Sequence, residues 1–205
     1  MPKPRARQGK SEARRQEILQ TALLCFSESG YLETTMTDIC RRSKASVGSV
    51  YHHFNSKDEL AAAVYLEGIA RYQTGFIAEL DSHPNARDGL TAMVRYHLRW
   101  IVEHPDWARF LFQKRQAQFM TTKEAEINEQ NKAFFSKISD WFRPHVDNGL
   151  IRRLPRELYY FLLLGPSHDF ARQWLAGQTR TGIADASNEL ADAAWRALKG
   201  DDTGV

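Results

Sequence analysis

The sequence predicts an all-α fold, and three observations favour it. Apolar residues recur at helical spacing along most of the chain, and no strand-like alternation extends beyond a few residues. Glycine, proline and capping residues separate the periodic segments. With 205 residues, 42% of them hydrophobic and 26% charged, the chain is long enough for a small head and a larger helical body.

The charge of the chain is unevenly distributed. A formal net charge of +3 is too mild to indicate a nucleic-acid partner by itself. The first fifteen residues, however, contain one acid, Glu12, among several bases. This pattern predicts a phosphate-seeking arm, with a solvated tail as the alternative. The basic residues are Lys3, Arg5, Arg7, Lys10, Arg14 and Arg15.

Cysteine usage and hydropathy restrict the class of protein. Cys25 and Cys40 form neither a disulfide framework nor a metal-ligand spacing, so both are predicted to be reduced core residues. We expect no metal and no cofactor. The N-terminus lacks an apolar signal stretch, and the longest apolar run, 158–164, is far shorter than a membrane span. These features predict a cytoplasmic protein.

The N-terminal periodic segments predict three helices. The first runs from Glu12 to a stop at Gly30. Thr35 is placed to cap a short helix over 36–43, with Asp38 completing a loose capping box. After a three-residue turn at 44–46, Ser46 can cap a second short helix that buries Val47, Val50 and Phe54.

The body is predicted to contain longer helices. One begins at Lys57, and a loop over 83–85 separates it from a clean helical series that stops before Pro105. A short helix follows at Trp107, and another ends at Pro144. Residues 158–164 are apolar on every side of a helix, so we expect a partner subunit to cover them. The last predicted helix spans 183–198. Gly165 and Pro166 should interrupt the helix over 158–175.

Two short helices joined by a three-residue turn have the size of a DNA-reading helix-turn-helix. Residues 34–40 (TTMTDIC), 45–54 (ASVGSVYHHF) and 56–60 (SKDEL) closely resemble the TetR (tetracycline-repressor-like) family. The resemblance covers roughly residues 14–60 and extends to the remainder only in length and helical layout. It implies that the second short helix enters the major groove of DNA.

The resemblance implies a set of DNA contacts. Ser49 and His52 suit base edges or phosphates, while Tyr51, His53 and Lys57 suit phosphates. Gly48 has no side chain for base reading, and Lys44, where the family usually has glycine, is expected to need a positive φ. The predicted DNA-binding residues are Arg14, Arg15, Thr35, Lys44, Ser46, Val47, Gly48, Ser49, Tyr51, His52, His53 and Lys57.

The resemblance also implies a small-molecule effector bound among the body helices. Aromatic residues there suit a hydrophobic or aromatic ligand, although an aromatic at helical spacing is individually more often a core residue. The predicted effector-binding residues are Tyr96, His97, Trp100, Phe110, Phe119, Asn131, Phe134, Trp141 and His168. An enzyme would be expected to have a cluster of ionisable residues, and the sequence shows no such cluster, so we do not expect an enzyme.

The family pattern further implies a homodimer built on the last two helices. The predicted interface residues are Leu158, Phe161, Leu162, Phe170, Trp174, Leu190, Ala194 and Trp195. Such a dimer would bind a near-palindromic operator, most commonly as a repressor; the alternative is an architectural or division factor without a ligand. The predicted organisation is an arm (1–12), a DNA-binding domain (13–60), a ligand-binding and dimerisation domain (61–200) and a tail (201–205).

Overall fold

The computed structural model describes residues 5–113 and 118–200, and this part of the chain is helical with one isolated β-bridge, between Ile151 and Lys199. The predicted all-α fold is confirmed. The helices are α1 (Arg5–Ser29), α2 (Met36–Ser43), α3 (Val47–His53), α4 (Lys57–Asp81), α5 (Ala86–Glu103), α6 (Pro105–Gln113), a 3-10 helix (Gln118–Lys123), α7 (Glu124–Asp147), α8 (Arg156–Leu163), α9 (Gly165–Leu175) and α10 (Ile183–Leu198).

The ends of the chain differ in part from the prediction. Helix α1 begins at Arg5, so residues 5–12, predicted to belong to a flexible arm, are helical. Residues 5–12 contain no proline that would break a helix, and the helix continues without a break into the buried segment that starts at Ile18. Residues 1–4 and the predicted tail at 201–205 lie outside the described residues.

The contacts between residues divide the chain into two compact units. The described parts of Met1–Ile69 and Asp106–Ile127 form the first, and those of Ala70–Pro105 and Asn128–Val205 form the second. In the first unit α1 packs on α2, and Ile18, Phe26 and Leu60 are fully buried. Phe110 of α6 belongs to the same core, because its ring stacks on Phe26 with the centroids 5.4 Å apart. The first unit is thus completed by a later stretch of chain.

The second unit is built around α5. Asn85 caps this helix, with its side chain accepting a hydrogen bond from Asp88 N, and α10 packs along it. Arg95 donates to the Asn188 side chain at 3.2 Å between these two helices. Twelve residues of α5 are buried, so this helix is the centre of the unit's core.

Two proline and glycine predictions have different outcomes. The helix predicted to end at Pro144 continues to Asp147, because proline costs one backbone donor while the Pro144 carbonyl still accepts from Asn148 N at 3.0 Å. The predicted interruption at Gly165 is confirmed, since α8 ends at Leu163 and α9 begins at Gly165.

Cys25 and Cys40 are both free and buried. Within the described residues, no helix combines the length and apolarity that crossing a membrane requires.

Candidate functional site

The first short helix, α2, starts at a complete capping box. The Thr35 hydroxyl accepts a hydrogen bond from Asp38 N at 3.2 Å, and the Asp38 carboxylate accepts from Thr35 N at 3.1 Å. The same carboxylate accepts the Thr35 hydroxyl hydrogen at 2.6 Å. Hydrogen bonds from the Thr35 side chain and backbone lower the pKa of Asp38. The side chain of Thr35 is therefore committed to fixing the start of α2.

The turn after α2 has a left-handed residue. Lys44 has φ 52°, which confirms the positive φ expected where the family usually has glycine. Arg14 of α1 holds this turn, since its guanidinium donates to the carbonyl of Lys44 at 3.1 Å and to that of Ser43 at 3.5 Å. A cation at the C-terminal end of α2 also interacts favourably with the negative end of the helix dipole. Arg14 thereby fixes the position of the second short helix relative to the first.

The second short helix, α3, has two distinct faces. Ser46 caps it by accepting from Ser49 N at 3.2 Å, and no acceptor for the Ser46 hydroxyl hydrogen is found in the described part of the chain. Val50 and Phe54 are buried, as predicted. Val47 was predicted to be buried with them, but it is 58% exposed because the first residue of so short a helix turns away from the core.

The outward face of α3 carries several of the predicted DNA-binding residues. Val47 and Tyr51 lie one turn apart, both large and exposed, and Gly48 and His52 form a parallel exposed row. No atom lies within 4 Å of the position that a Cβ on Gly48 would take. Exposed apolar groups beside hydrogen-bonding groups suit base edges in the major groove, where thymine presents a methyl group.

The ends of α3 contribute polar groups of different kinds. Ser49 is half-buried and lies at the edge of the outward face. Partial burial, the neighbouring His52 ring and the guanidinium of Arg15 together lower the pKa of His53. The charged form of His53 is therefore disfavoured in the free protein, and the ring can offer an N–H donor to a phosphate. Arg15 lies over the ring of Phe54, with its Cζ 5.3 Å from the centroid.

Lys57 makes contacts that the sequence did not predict. Its ammonium donates to the carbonyls of Tyr31 at 3.0 Å, Leu32 at 3.3 Å and Thr34 at 3.0 Å, which accounts for all three hydrogens. It also lies 4.5 Å from the centroid of the Tyr31 ring, whose hydroxyl donates to Asp58. Lys57 thus ties the connector before α2 to the start of α4, and its predicted contact with phosphate stays a prediction.

Comparison with known proteins agrees with this geometry. The family model "Bacterial regulatory proteins, tetR family" matches residues 18–64, the segment that holds α2 and α3. The transcriptional repressor AcnR of Corynebacterium efficiens is 40% identical over 173 residues, which cover 83% of this chain and 87% of that protein. The chain belongs to the tetR family. It is a DNA-binding transcriptional repressor of the helix-turn-helix class.

Solved structures with low sequence identity share the fold of this TetR-family repressor. A regulator from Marinobacter aquaeolei superposes with a TM-score of 0.81 at 17% identity, covering 94% of this chain and 99% of that one. FadR of Bacillus subtilis, solved in complex with stearoyl-CoA, has a TM-score of 0.76 at 16% identity, covering 89% of this chain and 98% of that one. At these identities the likeness supports the helical fold alone.

The repressor brings five of the nine predicted effector-binding residues into one aromatic cluster of the second unit, and a sixth, Asn131, lies in the same unit. Tyr72, which the sequence reasoning missed, is its centre: its ring lies 5.3 Å from Trp100, 5.7 Å from Tyr96 and 5.8 Å from His97, centroid to centroid. His168 stacks on His97 at 5.8 Å. Phe134 joins through Phe76, and Asn131 accepts from Gln73 Nε2 at 3.0 Å.

The other three predicted effector-binding residues lie elsewhere. Phe110 and Phe119 belong to the first unit, where they stack on each other at 5.8 Å and Phe119 contacts Tyr31 at 5.1 Å. Trp141 lies in the second unit but packs on His145, and its indole N–H donates to the His83 carbonyl at 3.2 Å. Phe110 and Phe119 fill a core, which is the more frequent role of an aromatic at helical spacing, while Trp141 is half-buried.

The predicted interface residues of the repressor differ in exposure. Leu158 and Phe161 of α8 are 40% and 58% exposed, and the neighbouring Tyr160 is 45% exposed. Ala194 is buried within the single chain, because α10 turns its small residues towards α5, so its side chain is not available to a partner. The remaining predicted residues are half-buried: Leu162, Phe170, Trp174, Leu190 and Trp195.

Proposed function

We propose that this repressor binds a near-palindromic operator as a homodimer and is released from it by an apolar effector. The exposed outward face of α3 supports the proposed DNA binding, since Val47, Tyr51 and His52 are exposed there. Ser46 caps this helix, and Arg14 holds the turn that precedes it. A dimer would present two such helices about one DNA turn, roughly 34–36 Å, apart.

A binding experiment separates base readers from phosphate contacts. Anisotropy titrations over a series of salt concentrations would use palindromic segments from upstream of the gene and scrambled duplexes of the same length. We expect the protein to prefer one segment by roughly a thousandfold or more. Ser49→Ala and His52→Ala should reduce that preference, each by about 1–3 kcal/mol, because a lost base contact affects only the correct sequence.

Lys44→Ala provides the matched control. The Lys44 side chain is exposed, and its ammonium has no ion pair within the described residues. As a phosphate contact it should weaken binding to all duplexes alike and reduce the salt slope by about one. Equal losses on specific and scrambled DNA for all three variants would contradict the assignment of Ser49 and His52 as readers. Equal wild-type affinity for every duplex would favour the architectural alternative.

The apolar surface of α8 supports the proposed homodimer. Leu158, Tyr160 and Phe161 are exposed on a helix that begins with the charged pair Arg156 and Glu157, and Leu158 and Phe161, three residues apart, share one face. Large exposed apolar patches are unusual on monomers and typical of interfaces. Residues of α9 and α10 that are half-buried in the single chain, including Trp174 and Trp195, extend the candidate surface.

Phe161→Glu should therefore shift the protein from dimer to monomer. Burying a carboxylate in an apolar interface costs several kcal/mol, so the dissociation constant should rise by more than tenfold in sedimentation equilibrium. Leu150→Glu is the matched control, because Leu150 is also exposed, at 51%, but lies outside α8, α9 and α10. A Phe161→Glu protein that remains dimeric at the wild-type dissociation constant would exclude α8 from the interface.

The aromatic cluster around Tyr72 supports the proposed effector site. Its rings and the Gln73–Asn131 pair provide apolar surface with a few convergent polar groups, which is the composition typical of small-molecule sites. The structural neighbour FadR of Bacillus subtilis, solved with stearoyl-CoA, shows that a protein of this fold binds a ligand with a long apolar part. We expect the effector of this chain to be largely apolar.

A further inference from the structure

One buried polar atom in the second unit has no hydrogen-bond partner. It is Nε2 of His97, a residue of α5 that is 6% exposed. Among the described residues, this is the single buried side-chain nitrogen or oxygen without a partner. Buried polar groups are otherwise almost always paired, because an unpaired one loses its hydrogen bonds to water and gains nothing in return. The atom therefore points to a partner that joins the protein later.

The hydrogen-bond network decides what kind of partner Nε2 needs. The Tyr72 hydroxyl lies 3.0 Å from His97 Nδ1. If the hydroxyl donates to Nδ1, the imidazole hydrogen is on Nε2 and one group remains unpaired; with the opposite tautomer, both the Tyr72 hydrogen and the Nε2 lone pair remain unpaired. Burial, reinforced by the neighbouring His168, lowers the pKa of His97 to about 3, so the ring carries one hydrogen at neutral pH. Nε2 is thus an N–H donor that lacks an acceptor.

The surroundings of His97 specify the charge and shape of that acceptor. The two rings in contact with it, Tyr72 and His168, are each half-buried, and together they form the aromatic rim of the candidate site. Arg99, on the same helix, is already paired with Glu79 at 2.7 Å and lies over the ring of Tyr96. Burying a carboxylate against His97 would carry a desolvation cost that an uncharged acceptor avoids.

We infer that His97 Nε2 donates a hydrogen bond to an uncharged carbonyl oxygen of a flat, largely apolar effector that lies against Tyr72, Trp100 and His168. This inference rests on the proposed effector-responsive function and names the chemical class of its ligand. Apolar rings of the effector would stack on the aromatic rim, and the single carbonyl would fix its orientation. An ordered water on Nε2, with no effector, is the competing outcome.

A pair of probes that differ only in the carbonyl tests the inference. β-Acetylnaphthalene and β-ethylnaphthalene would be titrated into the full chain without DNA, with tryptophan fluorescence as the readout. We expect the ketone to bind about five- to tenfold more tightly than the hydrocarbon. β-Naphthoate, which has the same ring and a charged acceptor, should bind more weakly than the ketone.

Matched variants assign the preference to the imidazole. In His97→Phe the ketone and the hydrocarbon should bind equally, whereas His104→Phe should keep the wild-type ratio although His104 contacts Trp100. Tyr72→Phe should lower the ratio, because the hydroxyl that fixes the tautomer is lost. An unchanged ratio in His97→Phe, no binding of either probe to the wild type, or tighter binding of the naphthoate would each overturn the inference.

The stability of the ligand-free protein gives an independent readout. His97→Phe also removes the acceptor of the Tyr72 hydroxyl, so the informative variant is the double replacement Tyr72→Phe/His97→Phe, which leaves neither group unpaired. A purely structural His97 predicts that this double variant melts several degrees below the wild type, whereas a donor held for a ligand predicts a melting temperature at or above it. Operator binding by the same variants is measured separately. If the wild-type protein binds its operator but shows no preference for the ketone, this inference is wrong and the proposed DNA-binding function is unaffected. If it neither binds an operator nor prefers the ketone, the proposed function is contradicted as well.

Discussion

Replacement of Phe119 by alanine is expected to lower the free energy of unfolding by about 3–5 kcal/mol, the cost typical of a buried phenylalanine. The Phe119 side chain is 1% exposed. Its ring stacks on Phe110 at 5.8 Å and meets Tyr31 at 5.1 Å and Tyr65 at 6.5 Å, centroid to centroid. Truncation would leave a cavity among three aromatic rings of the first unit. Urea denaturation followed by circular dichroism would measure the loss.

Phe135→Ala is the matched control for this variant. Phe135 is 45% exposed, so the same truncation there should cost less than about 1 kcal/mol. Phe119→Ala should also weaken operator binding, because Tyr31 carries the contacts that hold Asp58 and Lys57. If the variant instead keeps its stability and loses only the affinity for an aromatic probe, Phe119 belongs to the effector site, as the sequence first suggested.

Lys57→Met is expected to lower the free energy of unfolding by about 2–4 kcal/mol and operator affinity by on the order of tenfold. The variant keeps the aliphatic stem but leaves the carbonyls of Tyr31, Leu32 and Thr34 without their donor. The connector before α2 would then lose the ammonium that holds it to α4. Thermal and urea unfolding measure the first effect, and anisotropy titrations measure the second.

The salt dependence of DNA binding distinguishes two roles of Lys57. An ammonium that acts only on the connector leaves the salt slope unchanged, whereas one that also neutralises a phosphate lowers it by about one when removed. Lys10→Met is a suitable control for the charge change, since Lys10 is exposed on α1. Wild-type stability of Lys57→Met together with a reduced slope would show that its three contacts with carbonyls matter less than a contact with DNA.

Local signals in the sequence predicted much of the head. A hydroxyl at Thr35 or Ser46, followed by helix formers, satisfies the first backbone N–H groups of a helix from within a few residues, so the caps of α2 and α3 were predicted correctly. The positive φ of Lys44 was expected from the family resemblance, because Lys44 stands where the family usually has glycine. The burial of Val50 and Phe54 follows from their spacing of four residues on one helix.

Features that depend on contacts distant in sequence were not predicted. Helical spacing does not tell which of two cores an aromatic residue fills, so Phe110 and Phe119 were grouped with Tyr96 and Trp100 although they pack in the other unit. The three carbonyls that accept from Lys57 lie more than twenty residues before it. Nothing in the local sequence marks these carbonyls as its acceptors.

The composition of the first unit limits how its DNA specificity can be exchanged with that of a relative. Grafting only residues 1–69 onto another body would leave behind Phe110 and Phe119, and the transplanted Phe26 and Tyr31 would meet foreign side chains. A chimera that keeps its core needs both stretches, or changes confined to the outward face of α3. Shuffling at a single crossover point is therefore a poor route to new operators in this protein, whereas point substitution on that face leaves the interior untouched.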